Sequence, residues 1–419
     1  FGDALREIQE TTVFTTHTPL PAGTDIFSFQ LMEKYFSHYL DRLGIDSKRL
    51  LQLGTNPQDT GAGFNMTVFA LRTSSYRNAV SKRHGEVARK MWSGLWPEKQ
   101  ENEVPIQAIT NGVHLSTWME PLRFQPLLYK YLGNEWVSKQ DQPGFWDKID
   151  QIPDHELWQL HQDMKARLID EINERARSRW QRDKISGSSI IALGGLLDSD
   201  ILTLGFGRRF TGYKRPDLIL HDIERLKKLL TDPWHPIQII FAGIAHPADQ
   251  EGKRLIQKIF GLGQNPEYAG RIAFAEDYEQ QLASYMVHGV DVWLNNPEPP
   301  LEASGTSGMK ASVNGTPNLS ILDGWWIEGY NEKNGWAFGS EEIQGDRTPR
   351  DAEALYTLLE KQIIPDFYER SDDEVPHDFV QVMKSAIKSA APVFSSRRMA
   401  KEYVSNFYVP ALDLKKNGK

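Results

Sequence analysis

From Ser188 onward short apolar runs alternate with segments of helical spacing, and that alternation restricts the chain to few folds. The runs are residues 190–193, 201–206, 237–242, 272–274, 290–294 and 319–322, each read as a strand. Residues 218–230 and 252–260, between them, carry apolar side chains at helical spacing. Strands separated by helices predict an α/β fold whose parallel sheet is covered on both faces. Such sheets bind ligands just beyond the carboxyl ends of their strands. The loops leaving these runs are therefore where chemistry is expected.

The first third reads differently. Residues 27–43 and 66–91 have helical spacing with few Gly or Pro, and both are predicted as helices. A β-prone run at 12–14 ends in the turn-rich stretch 18–23. Residues 108–112 read as a short strand before an Asn-Gly turn, and a domain boundary is placed near Gly112. A long amphipathic helix is expected over 154–182, with Leu157, His161, Met164 and Leu168 in one stripe. At 419 residues the chain has room for two or three domains.

Composition removes several classes. The 48 Lys and Arg against 56 Asp and Glu give a net charge of −8, so no whole-chain attraction to nucleic acid or to an anionic membrane is expected. Apolar runs are far shorter than the ~20 residues of a membrane helix. With no cysteine, disulfides, thiolate metal sites and cysteine nucleophiles are excluded, and a reducing, cytoplasmic compartment fits. The 11 His show no HExxH spacing, and His161 reads as part of an ordinary helix surface, so no metal is predicted.

Three loops stand out. Gly205-Phe-Gly-Arg-Arg-Phe-Thr-Gly-Tyr-Lys-Arg215 follows the 201–206 run and places Arg208, Arg209, Lys214 and Arg215 within eight residues. Guanidinium forks and a compact ammonium suit an anion; the alternative is a solvated basic turn. A dinucleotide fingerprint is excluded because the third Gly is missing. Glu302-Ala-Ser-Gly-Thr-Ser-Gly-Met-Lys-Ala-Ser312 is a small-residue turn feeding a helix, a geometry that favours anions. Its GxxxxGK[ST] spacing fails, which excludes a P-loop. Lys310 lies one turn inside that helix, where desolvation would suit a Schiff base, although taken alone it reads first as a surface lysine. His17, in Thr-Thr-His-Thr-Pro, is on spacing alone more often structural than catalytic, and a catalytic role is the second reading. Asp277 and Tyr278 follow the 272–274 run and could wall the same cleft, and Asn111 sits at the expected boundary.

Taken together, THTPLPAG around His17, ITNGVH around Asn111, RRFTGYKRPDL, FAGIAHPAD, EDY, DVWLNNP and LEASGTSGMKASVNG resemble the motifs of α-glucan (glycogen, starch and maltodextrin) phosphorylases of the shorter bacterial type. They run in the expected order from residue 12 to about 340, and the likeness continues into 398–412. The resemblance implies a GT-B fold of two Rossmann-like domains with pyridoxal 5′-phosphate between them. Lys310 would form the Schiff base. Thr306, Ser307 and Gly308 would hold the coenzyme phosphate, contacted by Arg208 and Lys214, with Tyr278 near the coenzyme and Trp118 packed by it. Arg209 would bind the substrate phosphate with Lys214 nearby. Glu302, Ser304 and Gly305 would bind glucose hydroxyls. His17 would hold an outer hydroxyl, and Asn111 and Tyr213 would complete the pocket. The implied reaction is reversible phosphorolysis of terminal α-1,4 bonds by inorganic phosphate, giving α-glucose 1-phosphate with retention. The coenzyme would act through its phosphate, whose second pKa near ~6 suits proton exchange near neutral pH. Partners would be an α-glucan and inorganic phosphate, and a homo-oligomer is compatible with the family.

The likeness also sets expectations of departure. Residues 1–111 would be the C-terminal remnant of the N-terminal domain, 112–394 the coenzyme-binding domain, and 395–419 a crossing helix and tail. Without a loop to cover the phosphates, the isolated chain is expected to be inactive or weak and to expose apolar faces. Ile244 and Thr24 stand where the family pattern has lysine and histidine. Two other readings are a nucleotide-sugar-dependent glucan synthase of the same fold and an inactive fragment serving as a binding module.

Overall fold

The computed structural model describes residues 1–339 and 345–412. Its centre is a six-stranded, all-parallel sheet in the order Gly335–Phe338, Asn318–Ile321, Val292–Asn295, Leu202–Gly207, Ile237–Ala242, Ile272–Ala275. The chain starts in the middle, walks to one edge, returns, and walks to the other. The switch point lies between Leu202–Gly207 and Val292–Asn295, paired at Val292 with Leu204 and Trp293 with Gly205.

Strand alternation sends side chains to two apolar layers. Leu202, Leu204, Phe206, Ile239, Phe241, Val292 and Leu294 enter one, shared with Leu226, Ile259, Leu355 and Phe379 from covering helices. Ile240, Ala242, Ala273 and Trp293 enter the other, against Leu168 and Ile172 of the long helix Asp154–Asp183 and Leu282 and Met286 of Gln280–Gly289. Each such fully buried aliphatic side chain contributes about 1.5–3 kcal/mol.

The long helix is also fixed by charge. The fully buried Asp291, one residue before its strand, accepts from His161 Nε2 at 2.7 Å, Lys165 Nζ at 2.6 Å and the Thr203 amide at 2.7 Å. Burial alone would raise its pKa, but Lys165 and His161 hold it below the usual carboxylate range. His161 is thus a core residue and not part of the helix surface.

The expected strand at 190–193 is instead the end of a helix, Gly187–Ala192, capped by the Ser186 hydroxyl on the Ser189 amide. The strand Gly335–Phe338 supplies the sixth member. The expected helix 66–91 is two helices, Met66–Arg72 and Lys82–Trp92, separated by the strand Tyr76–Ala79. That strand is the middle of a small parallel sheet with Val13–Thr15 and Gln107–Ala108. Val68, Leu71, Ala88, Trp92, Val104 and Ile106 form its core.

Two passages join the small and large sheets. Residues 112–113 run beside 394–396: the Val113 amide donates to the Phe394 carbonyl, and the Ser396 amide to the Val113 carbonyl, both at 2.8 Å. After the second passage, helix Ser396–Tyr403 lies on the small sheet. Tyr403 Oη receives the Asn78 side-chain amide at 2.8 Å, and Phe407 packs edge-on against Tyr76. Residues 413–419 of the expected tail lie outside the described residues. Before the small sheet is complete, helix Phe29–Leu43 turns Leu31, Tyr35, Phe36 and Tyr39 outward, where they line an apolar cavity of about 680 Å³ with Phe27, Phe64 and Met66.

Candidate functional site

The carboxyl ends of the small sheet face the switch point of the large one. Between them lies a cavity of about 810 Å³. His17, Asn111, Arg208, Arg209, Tyr213, Lys214, Glu302, Ser304, Gly305, Thr306 and Ser307 all line it, so eleven of the sequence-derived residues converge there. Fold topology explains this. Arg208 begins immediately after strand Leu202–Gly207, and the 302–307 turn follows strand Val292–Asn295, its neighbour across the switch point.

The two loops are stitched together before any ligand enters. The Glu298 amide donates to the Tyr213 carbonyl at 2.8 Å. Arg215, at a left-handed φ of 45°, donates from Nε to the Asn296 carbonyl at 2.8 Å and from Nη2 to that of Pro297 at 3.1 Å. It also pairs with Asp351 at 2.7 Å. Arg215 is therefore a brace of the loop and not one of its ligand-facing cations.

The remaining cations form the electrostatic centre. Glu302 pairs with Lys214 Nζ and, at 3.3 Å, with Arg208 Nη2. Burial pushes the Glu302 carboxyl up, but Arg208 and Lys214 outweigh it and keep the group below its usual range. Burial together with Arg208 lowers Lys214 to about 8, against the opposing pull of Glu302. Arg208 is buried, yet among the described residues its Nε and Nη1 have no partner, and the Thr211 and Ser304 hydroxyls of the same cavity are also unpartnered. Orphaned buried donors are costly. A set of them beside a cation has the chemistry of an anion cradle. Arg209 is exposed into the cavity.

Lys310 sits in helix Thr306–Ser312 with its Nζ 3.6 Å from the centre of the Trp118 ring. Burial lowers its pKa, which favours the nucleophilic free amine. Tyr278 is pushed up to about 12 by burial and donates to the Gly207 carbonyl at 3.1 Å. A Cβ on Gly207 would meet Trp293 at 2.8 Å and the Tyr278 hydroxyl at 3.0 Å, so that glycine lets both rings close on the strand end. Trp293 Nε1 in turn reaches the Ser307 hydroxyl at 3.3 Å. Lys310, Trp118, Tyr278 and Gly308 stand behind the lining and not in it. Gly308 packs against Asn318 and Trp325, and its amide bonds the Gly305 carbonyl at 3.2 Å. Ile244, where the family pattern has lysine, is 57% exposed.

Sequence reading passed over several residues of the site. Ser81 donates to the Ala303 carbonyl at 2.6 Å from the small-sheet side, and Glu328 accepts from Thr110 Oγ1 and the Lys82 amide, both at 2.9 Å. His84, lowered to about 4 chiefly by burial, accepts the Val80 amide. Asp323 holds the Glu302 amide. Asp323 alone carried a usable signal, since it follows the 319–322 run at a strand's carboxyl end.

Residues 1–362 match the family model Phosphorylase, described as carbohydrate phosphorylase. The chain is similar to a glycogen phosphorylase of Aquifex aeolicus (55% identity over 97% of the chain and 58% of that protein). It is also similar to a maltodextrin phosphorylase of Thermococcus litoralis (45%, over 98% and 48%) and a glycogen phosphorylase of Mycobacterium tuberculosis (39%, over 98% and 48%). The chain thus spans about half the length of these curated relatives.

Proposed function

The chain belongs to the carbohydrate phosphorylase family, and on that premise we propose that its crevice is the phosphate- and glucosyl-binding side of an α-glucan phosphorylase. The whole protein would cleave terminal α-1,4 bonds with inorganic phosphate and release α-glucose 1-phosphate. The observation that carries this reading is the set of unpartnered donors on buried Arg208, Thr211 and Ser304, centred on the Lys214–Glu302 pair. The GT-B architecture, with boundaries after 111 and 394, and a cytoplasmic setting belong to the same reading. No helix among the described residues is long and apolar enough to cross a membrane.

The residues fit pyridoxal 5′-phosphate. Lys310 offers an amine against Trp118 whose pKa burial lowers, and the Arg208 cradle suits a phosphate. Thr306, Ser307 and Gly308 would add the start of their helix, and Tyr278 the wall. When bound, the coenzyme supplies a phosphate monoester able to give and take a proton near neutral pH. The chain's own groups do the rest. Arg209, exposed in the crevice, binds the substrate phosphate. Lys214, near pKa 8, neutralises the second negative charge and can hold a proton between the two anions. Glu302, kept ionised, accepts glucose hydroxyls beside Ser304 and Gly305. His17 and Asn111 close the glucosyl pocket from the opposite wall, with Tyr213 beside Lys214 on the near one, which limits water at the reacting carbon.

The test is phosphate dependence. With the coenzyme loaded, the chain should bind inorganic phosphate saturably, and borohydride treatment should label Lys310 alone. Maltodextrin supplied with phosphate should yield glucose 1-phosphate from the whole protein. Coenzyme retention unaltered by Lys310→Ala, or release of free glucose independent of phosphate, would overturn the reading.

A further inference from the structure

The turn that carries Glu302 is held one peptide unit at a time. Ser81 takes the Ala303 carbonyl at 2.6 Å from the small-sheet side. The Trp325 amide takes the Ser304 carbonyl at 2.8 Å. Asp323 Oδ2 accepts the Glu302 amide at 2.9 Å, while its Oδ1 accepts the amide of Gly324, also at 2.9 Å. Gly324, at φ 55°, lets the two backbones touch: a Cβ there would lie 2.6 Å from the Ser304 carbonyl oxygen. Asp323 lies two residues beyond the end of the strand Asn318–Ile321, so it ties the turn to the carboxyl end of that strand.

We infer that Asp323 is the positioning residue of Glu302, fixing the turn so that the Glu302 carboxylate stands against Arg208 and Lys214 where a glucosyl hydroxyl would meet it. The consequence for a sugar rests on the proposed function; the clamp itself does not. Asp323 is only 2% exposed, and its two hydrogen bonds are both to backbone amides. A carboxylate in such a place is expensive to keep ionised. Burial, with the charge of Glu302, pushes it up to about 6, while the two amides and Arg83 oppose the rise. Lys214 and Tyr213 are the other titratable groups that feel its charge. At about pH 7.5 the clamp is predominantly a carboxylate. Below about 6 it takes a proton and becomes a weaker acceptor for the Glu302 amide.

Hydrogen exchange on the full chain tests this. At about pH 7.5 the protection of the Glu302 amide should fall about ten- to a hundred-fold in Asp323→Asn, the loss expected for one charge-assisted hydrogen bond. In the wild type the same protection should decline between about pH 7 and about pH 5, and in the variant that dependence should vanish. Should Asp323→Asn not fold, the wild-type pH series decides alone. Flat protection across that range, or protection unaltered by the substitution, overturns the inference. Calorimetry with glucose 1-phosphate is the second readout. The variant should lose about ten-fold in affinity while inorganic phosphate binds within about three-fold. Lost protection with unchanged glucose 1-phosphate affinity would overturn the link to the sugar. If the wild type bound no glucose 1-phosphate while the amide behaved as expected, the clamp would stand and the proposed function would fall.

Discussion

Lys214 and Arg209 divide the work of one basic loop by burial. Lys214 is buried under Arg208 and so sits near 8, whereas the unfolded chain would titrate near 10.5. Between those values the unfolded state binds more protons, so this residue's contribution to stability rises with pH through that window and is flat below it. An arriving phosphate dianion should raise that value. Phosphate titrated in at about pH 8 should therefore draw a proton onto the protein, measured as a heat that changes with the buffer's ionisation enthalpy; Lys214→Met should abolish that uptake. Arg209 is exposed and has no hydrogen bond or ion pair among the described residues. Arg209→Ala should cost about ten- to a hundred-fold in phosphate affinity by calorimetry, with maltodextrin affinity changed less than about two-fold.

At the scale of elements, the long helix and the sheet depend on a single buried anion. Asp291→Ala would leave Lys165 buried and unpaired, and should lower stability by about 3–5 kcal/mol in urea unfolding. Because the folded pKa of Asp291 is depressed, its stabilisation is complete above about pH 4 and fades as pH falls through the folded value, so wild type and variant should converge in acid. Gly112 is a second pressure point, since a Cβ would lie 2.3 Å from the Ser395 carbonyl oxygen. Gly112→Ala should cost about 1–3 kcal/mol in the same assay. The elements also mark what a sequence can disclose. The loops after 206 and 294 were legible because switch-point logic needs only strand order and small cationic or glycine-rich turns. The strand Tyr76–Ala79 was not, because Tyr-Arg-Asn-Ala has neither alternation nor length, and its parallel partners lie far off in the chain. Residues 190–193 misled because a short apolar run fits a strand or a buried helix end equally; the Ser186 cap and the left-handed Gly194 were the signals to weigh. Ser81 escaped because it acts through a backbone contact that no spacing rule encodes, whereas Asp323 stood just past a strand's carboxyl end and could have been weighed on that ground.

The whole molecule is unequal in its finish. The large sheet is covered on both faces, while helix Phe29–Leu43 leaves Leu31, Tyr35, Phe36 and Tyr39 between 39% and 58% exposed around an apolar hollow. A fluorescent dye such as anilinonaphthalene sulfonate should bind the native chain there, and the double substitution Leu31→Glu with Tyr35→Glu should remove most of that signal without altering phosphate binding. The crevice itself is governed elsewhere. Val113 and Ser395 lie side by side where the polypeptide goes out and comes back, bonded in parallel register. The two walls of the crevice are therefore seamed along a single line, so the breadth of the opening between them is set by how that one seam is laid.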